Sequence, residues 1–178
     1  VWREVLILTM DSPFFWQDNE KLDSSIFLIT DEKNYTYKEV FDNSDTIFKG
    51  EEKDVVLILC QKNIETIHAY IGALRNGIIP LLVDSDIKEG ALNGIVNAYK
   101  PKYIFSSSEV DHIDSNLNLV TAKKFDQGHL KIFDVKPKKI NPNLLLLLLT
   151  SGSTGDPKSV RISHINLTSA TENIVNYL

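Results

Sequence analysis

Apolar and polar positions along this chain fall into blocks whose period changes several times. Residues 26–29 are a short apolar run, residues 31–34 (Asp-Glu-Lys-Asn) a polar turn, and residues 35–37 (Tyr-Thr-Tyr) the return strand. Residues 38–48 carry Val40, Phe41, Ile47 and Phe48, a sparse helical pattern. Residues 55–60 (Val-Val-Leu-Ile-Leu-Cys) are continuously apolar and rich in β-branched side chains, which predicts a strand covered on both faces. Asn63 then stands where a helix N-cap belongs, with Glu65 in the first turn, where the helix dipole favours an anion. Ile64, Ile67, Tyr70, Ile71 and Leu74 recur at helical spacing, and Gly77 supplies the stop. Residues 78–83 predict the next strand, with Pro80 expected to mark an edge or a bent start. Residues 87–100 place Leu92, Ile95, Val96 and Tyr99 on one helical face, Pro101 ends that helix, and residues 103–105 form a further strand.

Strands separated by helices imply right-handed crossovers and a largely parallel sheet flanked by helices, so the fold class is α/β. Residues 106–143 are more polar and less regular, with short strands expected near 117–120 and 132–135 and a solvated basic connector at 136–139 (Lys-Pro-Lys-Lys). The first 25 residues are harder to place. The aromatic stretch at 12–16 (Ser-Pro-Phe-Phe-Trp) is expected to pack rather than to bind a ligand.

With 178 residues, the chain is expected by size to be one domain, with two small ones as the alternative, and is read as a segment of uncertain structure at 1–25 and an α/β portion at 26–178. A single cysteine, Cys60, excludes an internal disulfide framework or a Cys-rich zinc site. A net charge of -5 argues against a general nucleic-acid binder. The longest apolar run, residues 144–149, is far shorter than the roughly 20 residues of a membrane-spanning helix. The chain opens on Val1-Trp2-Arg3-Glu4, with neither an initiator Met nor a signal-peptide layout, and is expected to be a piece of a longer polypeptide.

One stretch differs in kind. Six leucines, 144–149, lie between Pro142 and a loop of small polar residues, and that setting suits a buried strand better than a helix. The loop places Thr150, Ser151, Gly152, Ser153, Thr154 and Gly155 in sequence, followed by Asp156-Pro157-Lys158-Ser159. Glycines let backbone N–H groups converge on an anion, and hydroxyls add donors to phosphate oxygens and can ligate a hard cation. Lys158 adds a mobile positive charge just past the turn. The competing reading is a flexible linker, but a linker does not normally follow a buried strand and precede an amphipathic helix such as the one expected from about Ser163. A Walker loop is disfavoured, because Pro157 occupies the second-glycine position and has no N–H to donate. A dinucleotide-binding fingerprint fails because Gly152 and Gly155 lack the Gly-x-Gly step.

The run Thr150 to Lys158 resembles, position for position, the phosphate-binding signature of the AMP-forming adenylating enzymes. These are the acyl- and aryl-CoA synthetases, the adenylation domains of nonribosomal peptide synthetases and the firefly-type luciferases. Residues 160–167 and Tyr35-Thr36-Tyr37-Lys38-Glu39-Val40 are similar to further family elements, as is the outline of residues 54–86, so the resemblance covers roughly residues 26–178. Two departures bear on subclass. Ser159 stands where the family usually has Gly, and Pro80-Leu81-Leu82-Val83-Asp84-Ser85 is shifted and lacks a second Pro.

The resemblance implies the N-terminal part of the adenylate-forming fold, in an enzyme that joins a carboxylic acid to ATP, releases pyrophosphate and passes the acyl group to CoA or a carrier-protein pantetheine. It implies that Thr150, Ser151, Gly152, Ser153, Thr154, Gly155 and Lys158 wrap the β- and γ-phosphates, with Lys158 the catalytic cation and Thr154 near a Mg2+. It further implies a cytoplasmic protein whose partners are ATP, a carboxylic acid and possibly a carrier protein. The adenine, metal-carboxylate, ribose and acyl sites of the family lie further along than Leu178, so the piece alone is expected to be inactive. The alternative is a non-catalytic nucleotide-binding module that retains only the phosphate loop.

The remaining polar residues are expected to be structural. His68 is read as a surface or core residue of its helix, and His112 and His129 as loop residues without metal-like spacing. His164 is read as a helix-capping residue, with shaping of the loop's mouth as the alternative, and Cys60 as a buried small hydrophobe.

Overall fold

The computed structural model describes residues 15–110, 113, 116–150 and 158–177. Strands β1 (Ile26–Ile29) and β2 (Asn34–Thr36) pair antiparallel in a sheet of their own, with the expected turn between them. Helix α1 (Tyr37–Ile47) follows at once. Its start is a capping box: Glu39 N–H donates to the Thr36 hydroxyl, and Thr36 N–H donates to the Glu39 carboxylate at 2.8 Å.

Four parallel strands, β3 (Val55–Cys60), β4 (Ile79–Asp84), β5 (Tyr103–Ser106) and β8 (Leu144–Thr150), form the centre of a seven-stranded sheet. Antiparallel β6 (Asn118–Phe125), β7 (Gly128–Asp134) and β9 (Lys158–Ser163) complete it in the order β6-β7-β5-β3-β4-β8-β9. Helices α2 (Ile64–Arg75) and α3 (Glu89–Tyr99) connect β3 to β4 and β4 to β5, and α4 (His164–Tyr177) follows β9.

Strand β3 shows why its apolar run has no polar phase. Val55, Leu57 and Leu59 pack with Leu92, Ile95 and Val96 of α3 on one face. Val56 and Ile58 pack with Ala69 and Ala73 of α2, and with Ile47 and Phe48 at the end of α1, on the other. Both faces of the strand are therefore covered, and alternation is lost. Asn63 caps α2 as expected, its Oδ1 accepting the Thr66 N–H at 3.0 Å, and Gly77 follows the helix at φ +67.

Three expectations need correction. Pro80 does not mark an edge, because β4 lies between β3 and β8, although it is the second residue of its strand. Ile79 N–H donates to Asp54 O beside β3, so by alternation the Pro80 position faces β8, whose register with β4 starts only at Leu81↔Leu147. The short strands near 117–120 and 132–135 are parts of a longer hairpin, β6–β7, turning between Phe125 and Gly128. Its outer strand is exposed almost throughout, so apolar pattern understated its length. The basic connector is also more than solvated: Lys138 Nζ donates to buried Asp54 Oδ1 at 2.8 Å and to Lys100 O at 2.6 Å.

The aromatic stretch packs, as far as its described residues go. Trp16 is buried against Leu74, Leu145 and Leu146. Arg75 holds it there, donating from Nη1 to Trp16 O at 2.7 Å while its Nε and Nη2 grip Asp45 at 2.6 and 2.7 Å. No helix among the described residues is long and apolar enough to cross a membrane.

Candidate functional site at the carboxyl edge of the sheet

The leucine run forms β8, and the small polar loop is the turn between β8 and β9. Leu148↔Val160, Leu149↔Ser159 and Thr150↔Lys158 pair antiparallel, so Thr150 and Lys158 stand side by side. Those two residues, the described ends of the expected set, lie at the carboxyl ends of the parallel strands, where open α/β sheets bind ligands. Thr150 ends β8 and Lys158 opens β9 with its side chain exposed. Ser151, Gly152, Ser153, Thr154 and Gly155 lie outside the described residues, so the structure brings together only the two ends of the expected set.

Ser159, the departure from the family pattern, sits in extended strand opposite Leu149. Among the described residues only Lys100 departs from glycine-free negative φ, so Ser159 occupies a backbone that any residue adopts.

Topology brings further groups to this edge that the sequence reading did not select. Cys60 pairs with Asp84 at the ends of β3 and β4, and extending the Leu82↔Leu148 register by two residues sets Asp84 level with Thr150. A cleft of about 760 Å³ opens there, lined by Gln61, Lys62, Ser85 and Asp86 as well as Cys60 and Asp84. The chain leaves β3 toward α2 on one face and β4 toward α3 on the other, so the cleft lies where the winding reverses. The signal was available in principle, since residues just past two adjacent parallel strands meet at such a point. Gln61 is held by the Ser107 hydroxyl, which donates to its Oε1 at 2.6 Å, and by Asn63 Nδ2 at 3.1 Å. Asp84 Oδ1 accepts the Asp86 N–H at 2.9 Å. Cys60 is half-buried on the cleft wall rather than sealed in the core, and burial, with the Asp84 charge adding to it, pushes its thiol above the usual range.

The histidines separate clearly. His68 is buried in α2, one of the two places expected for it. His129 lies in strand β7, not in a loop, and His112 lies outside the described residues. His164 does not cap its helix: Ser163 does, its hydroxyl accepting the Asn166 N–H at 3.1 Å. Strand β9 carries Ser163 roughly 17 Å from Lys158, at about 3.4 Å per residue, and His164 lies beyond it at the start of the helix, away from the loop's mouth. Its ring lies 5.9 Å from that of Trp16, at the opposite edge of the sheet. No group of three or more His, Cys, Asp or Glu able to hold a metal occurs among the described residues.

The fold is an α/β unit in which a cleft and the two described ends of the expected loop lie at the carboxyl ends of β3, β4 and β8. The chain belongs to the AMP-binding enzyme family, whose model matches residues 14–177. It is 28% identical over 142 residues to the D-alanine–D-alanyl carrier protein ligase of Staphylococcus aureus, an alignment covering 77% of this chain and 28% of that protein. Among solved structures it resembles the N-terminal subdomain of Klebsiella oxytoca NpsA in complex with 3-hydroxybenzoyl-AMSN (TM-score 0.58, 22% identity, 82% of this chain and 38% of that one). It also resembles the o-succinylbenzoate CoA synthetase of Bacillus subtilis in complex with the acyl-adenylate intermediate OSB-AMP (TM-score 0.58, 18% identity, 85% and 42%). The chain thus spans well under half the length of these relatives, and the expected α/β fold is theirs.

Proposed function

We propose that this chain is the N-terminal part of an ATP-dependent ligase that activates a carboxylic acid as an acyl-adenylate and then transfers the acyl group to a thiol. The observation that carries this reading is the run Thr150 to Lys158, which keeps the family signature and whose two ends pair across β8 and β9. In the first step a carboxylate oxygen of the acid bonds to the α-phosphorus of ATP, and the bond from that phosphorus to the bridging oxygen breaks, releasing pyrophosphate. Charge builds on the leaving oxygens. Backbone N–H groups and hydroxyls of Thr150, Ser151, Gly152, Ser153, Thr154 and Gly155 would hold the β- and γ-phosphates, and the Lys158 ammonium would neutralise the departing charge.

The exposed lysine at the turn's exit fits an anionic ligand. A Mg2+ would be held by Thr154 together with phosphate oxygens, and it supplies charge neutralisation when bound. The carrier-protein ligase among the relatives favours a carrier-protein thiol over CoA as acceptor.

Pyrophosphate–ATP exchange by the full-length parent protein, across fatty, aromatic and amino acids, tests the reading. Exchange with one class supports it and names the substrate. Silence from folded protein with Mg2+ present favours a nucleotide-binding module without catalysis. Lys158→Ala in the same protein should weaken ATP or pyrophosphate binding by about tenfold to a hundredfold, the loss expected for one charge-assisted hydrogen bond. Unchanged affinity by calorimetry would remove Lys158 from the site.

A further inference from the structure

His68 is a titratable group that the proposed chemistry does not use. It lies on α2 with 4% of its surface exposed, and both ring nitrogens are enclosed without a hydrogen-bond partner. Its ring meets the edge of Tyr35 on β2, with centroids 6.5 Å apart and planes at 82°. The β1–β2 hairpin thus forms part of the cover over the imidazole. Phe27 and Tyr35 from the hairpin join Tyr37, Val40 and Phe41 at α1 and Ile64, Ile67 and Ile71 at α2 in one apolar cluster.

The charge acting on the ring is that of Lys33 in the hairpin turn, which opposes a second cation. Lys33 lies 4.3 Å over the Tyr35 ring and 3.4 Å from Glu39 Oε1. Glu39, on α1, is itself committed to the Thr36 cap. Burial keeps the Tyr37 and Tyr70 phenols of the same layer protonated, Glu65 lies in the first turn of α2, and the further charged residues of these elements, Asp31, Glu32, Lys38, Asp42, Asp45 and Arg75, do not act on the ring. Among the described residues, no side chain hydrogen-bonds either ring nitrogen of His68.

A protonated His68 would bury two donors without acceptors beside an existing cation, which is costly. Water must reach the ring before the charge can form. The hairpin is the part of the cover that can yield, since a two-stranded sheet is marginal by itself and this one pairs over only a few residues. We propose that His68 makes the β1–β2 hairpin an acid-released flap, which lifts from α2 when the imidazole takes up a proton.

The sign of the effect follows from the direction of the shift. Burial, then Lys33, pushes the His68 pKa down to about 4 from the ordinary 6.5. Closure is therefore fully favoured above the ordinary value and weakens as pH falls toward the lower one. One proton per opening sets a limit of about tenfold per pH unit in the opening constant.

Amide hydrogen exchange of the whole chain between about pH 7.5 and about pH 5, corrected for intrinsic rates, reads this directly. Protection of Ile26–Ile29 and Asn34–Thr36 should fall on acidification while β3, β4 and β5 hold theirs, and His68→Phe should abolish the dependence. Equal loss in hairpin and core, no loss in the hairpin, or the same dependence in His68→Phe would overturn the proposal. Should that variant not fold, the His68 ring is followed by NMR in the native chain. A ring that stays neutral until the hairpin signals change supports the flap, and one that titrates near the ordinary value with the hairpin closed refutes it.

Discussion

Asp54 is 4% exposed, and its Oδ1 accepts both the Val55 N–H at 2.7 Å and the Lys138 ammonium at 2.8 Å. Removing the ammonium leaves a buried carboxylate with one backbone donor. A fully buried pair broken in this way costs about 3–5 kcal/mol, and the partial exposure of Lys138 lowers that to about 2 kcal/mol. Lys138→Ala should therefore reduce unfolding free energy in urea by about 2 kcal/mol, whereas Lys136→Ala and Lys139→Ala should stay within about 0.5 kcal/mol. Three nearby lysines look alike in sequence. Only the path of the chain, which brings residue 138 back past the start of β3, distinguishes one of them. Ser159 teaches the converse: it stands where the family pattern usually has Gly, yet its strand geometry makes no special demand.

At the scale of elements, the parallel centre was legible because burial on both faces writes itself into composition. Strands β3 and β5 and helices α2 and α3 fall where apolar runs and caps predicted them. The β6–β7 hairpin was half-legible, because an exposed edge strand selects polar and apolar residues with little constraint. The α1–α2 contact was not legible at all. Gly72 lies mid-helix, where alanine would ordinarily stabilise by up to about 1 kcal/mol. A Cβ at that position, however, would overlap the Ser44 carbonyl and press on the Phe48 ring at 3.3 Å. Backbone cannot turn aside as a side chain can, so Gly72→Ala should destabilise the protein by about 1–3 kcal/mol, read as a lowered midpoint of thermal unfolding. A gain in stability would mean that the two helices separate freely.

For the whole molecule, one boundary of the proposed reaction can be tested on the chain as it stands. The alignment covers 28% of the carrier protein ligase. The 178-residue chain given ATP, Mg2+ and a carboxylic acid should form no acyl-adenylate trappable by hydroxylamine, while the full-length parent does so. Trapped product from the short chain would mean that the loop and its neighbouring cleft suffice for the chemistry.

The sequence alone determined the α/β class and the buried strand that leads into the small polar loop. Burial period and the stereochemistry of glycine, proline and hydroxyl side chains are local properties that survive in a linear string. Tertiary structure decided which lysine neutralises Asp54, that Asp84 stands level with Thr150, and that His68 is sealed beneath a hairpin. Each depends on distant segments meeting, and the winding of the sheet, rather than the identity of any one residue, brings them together.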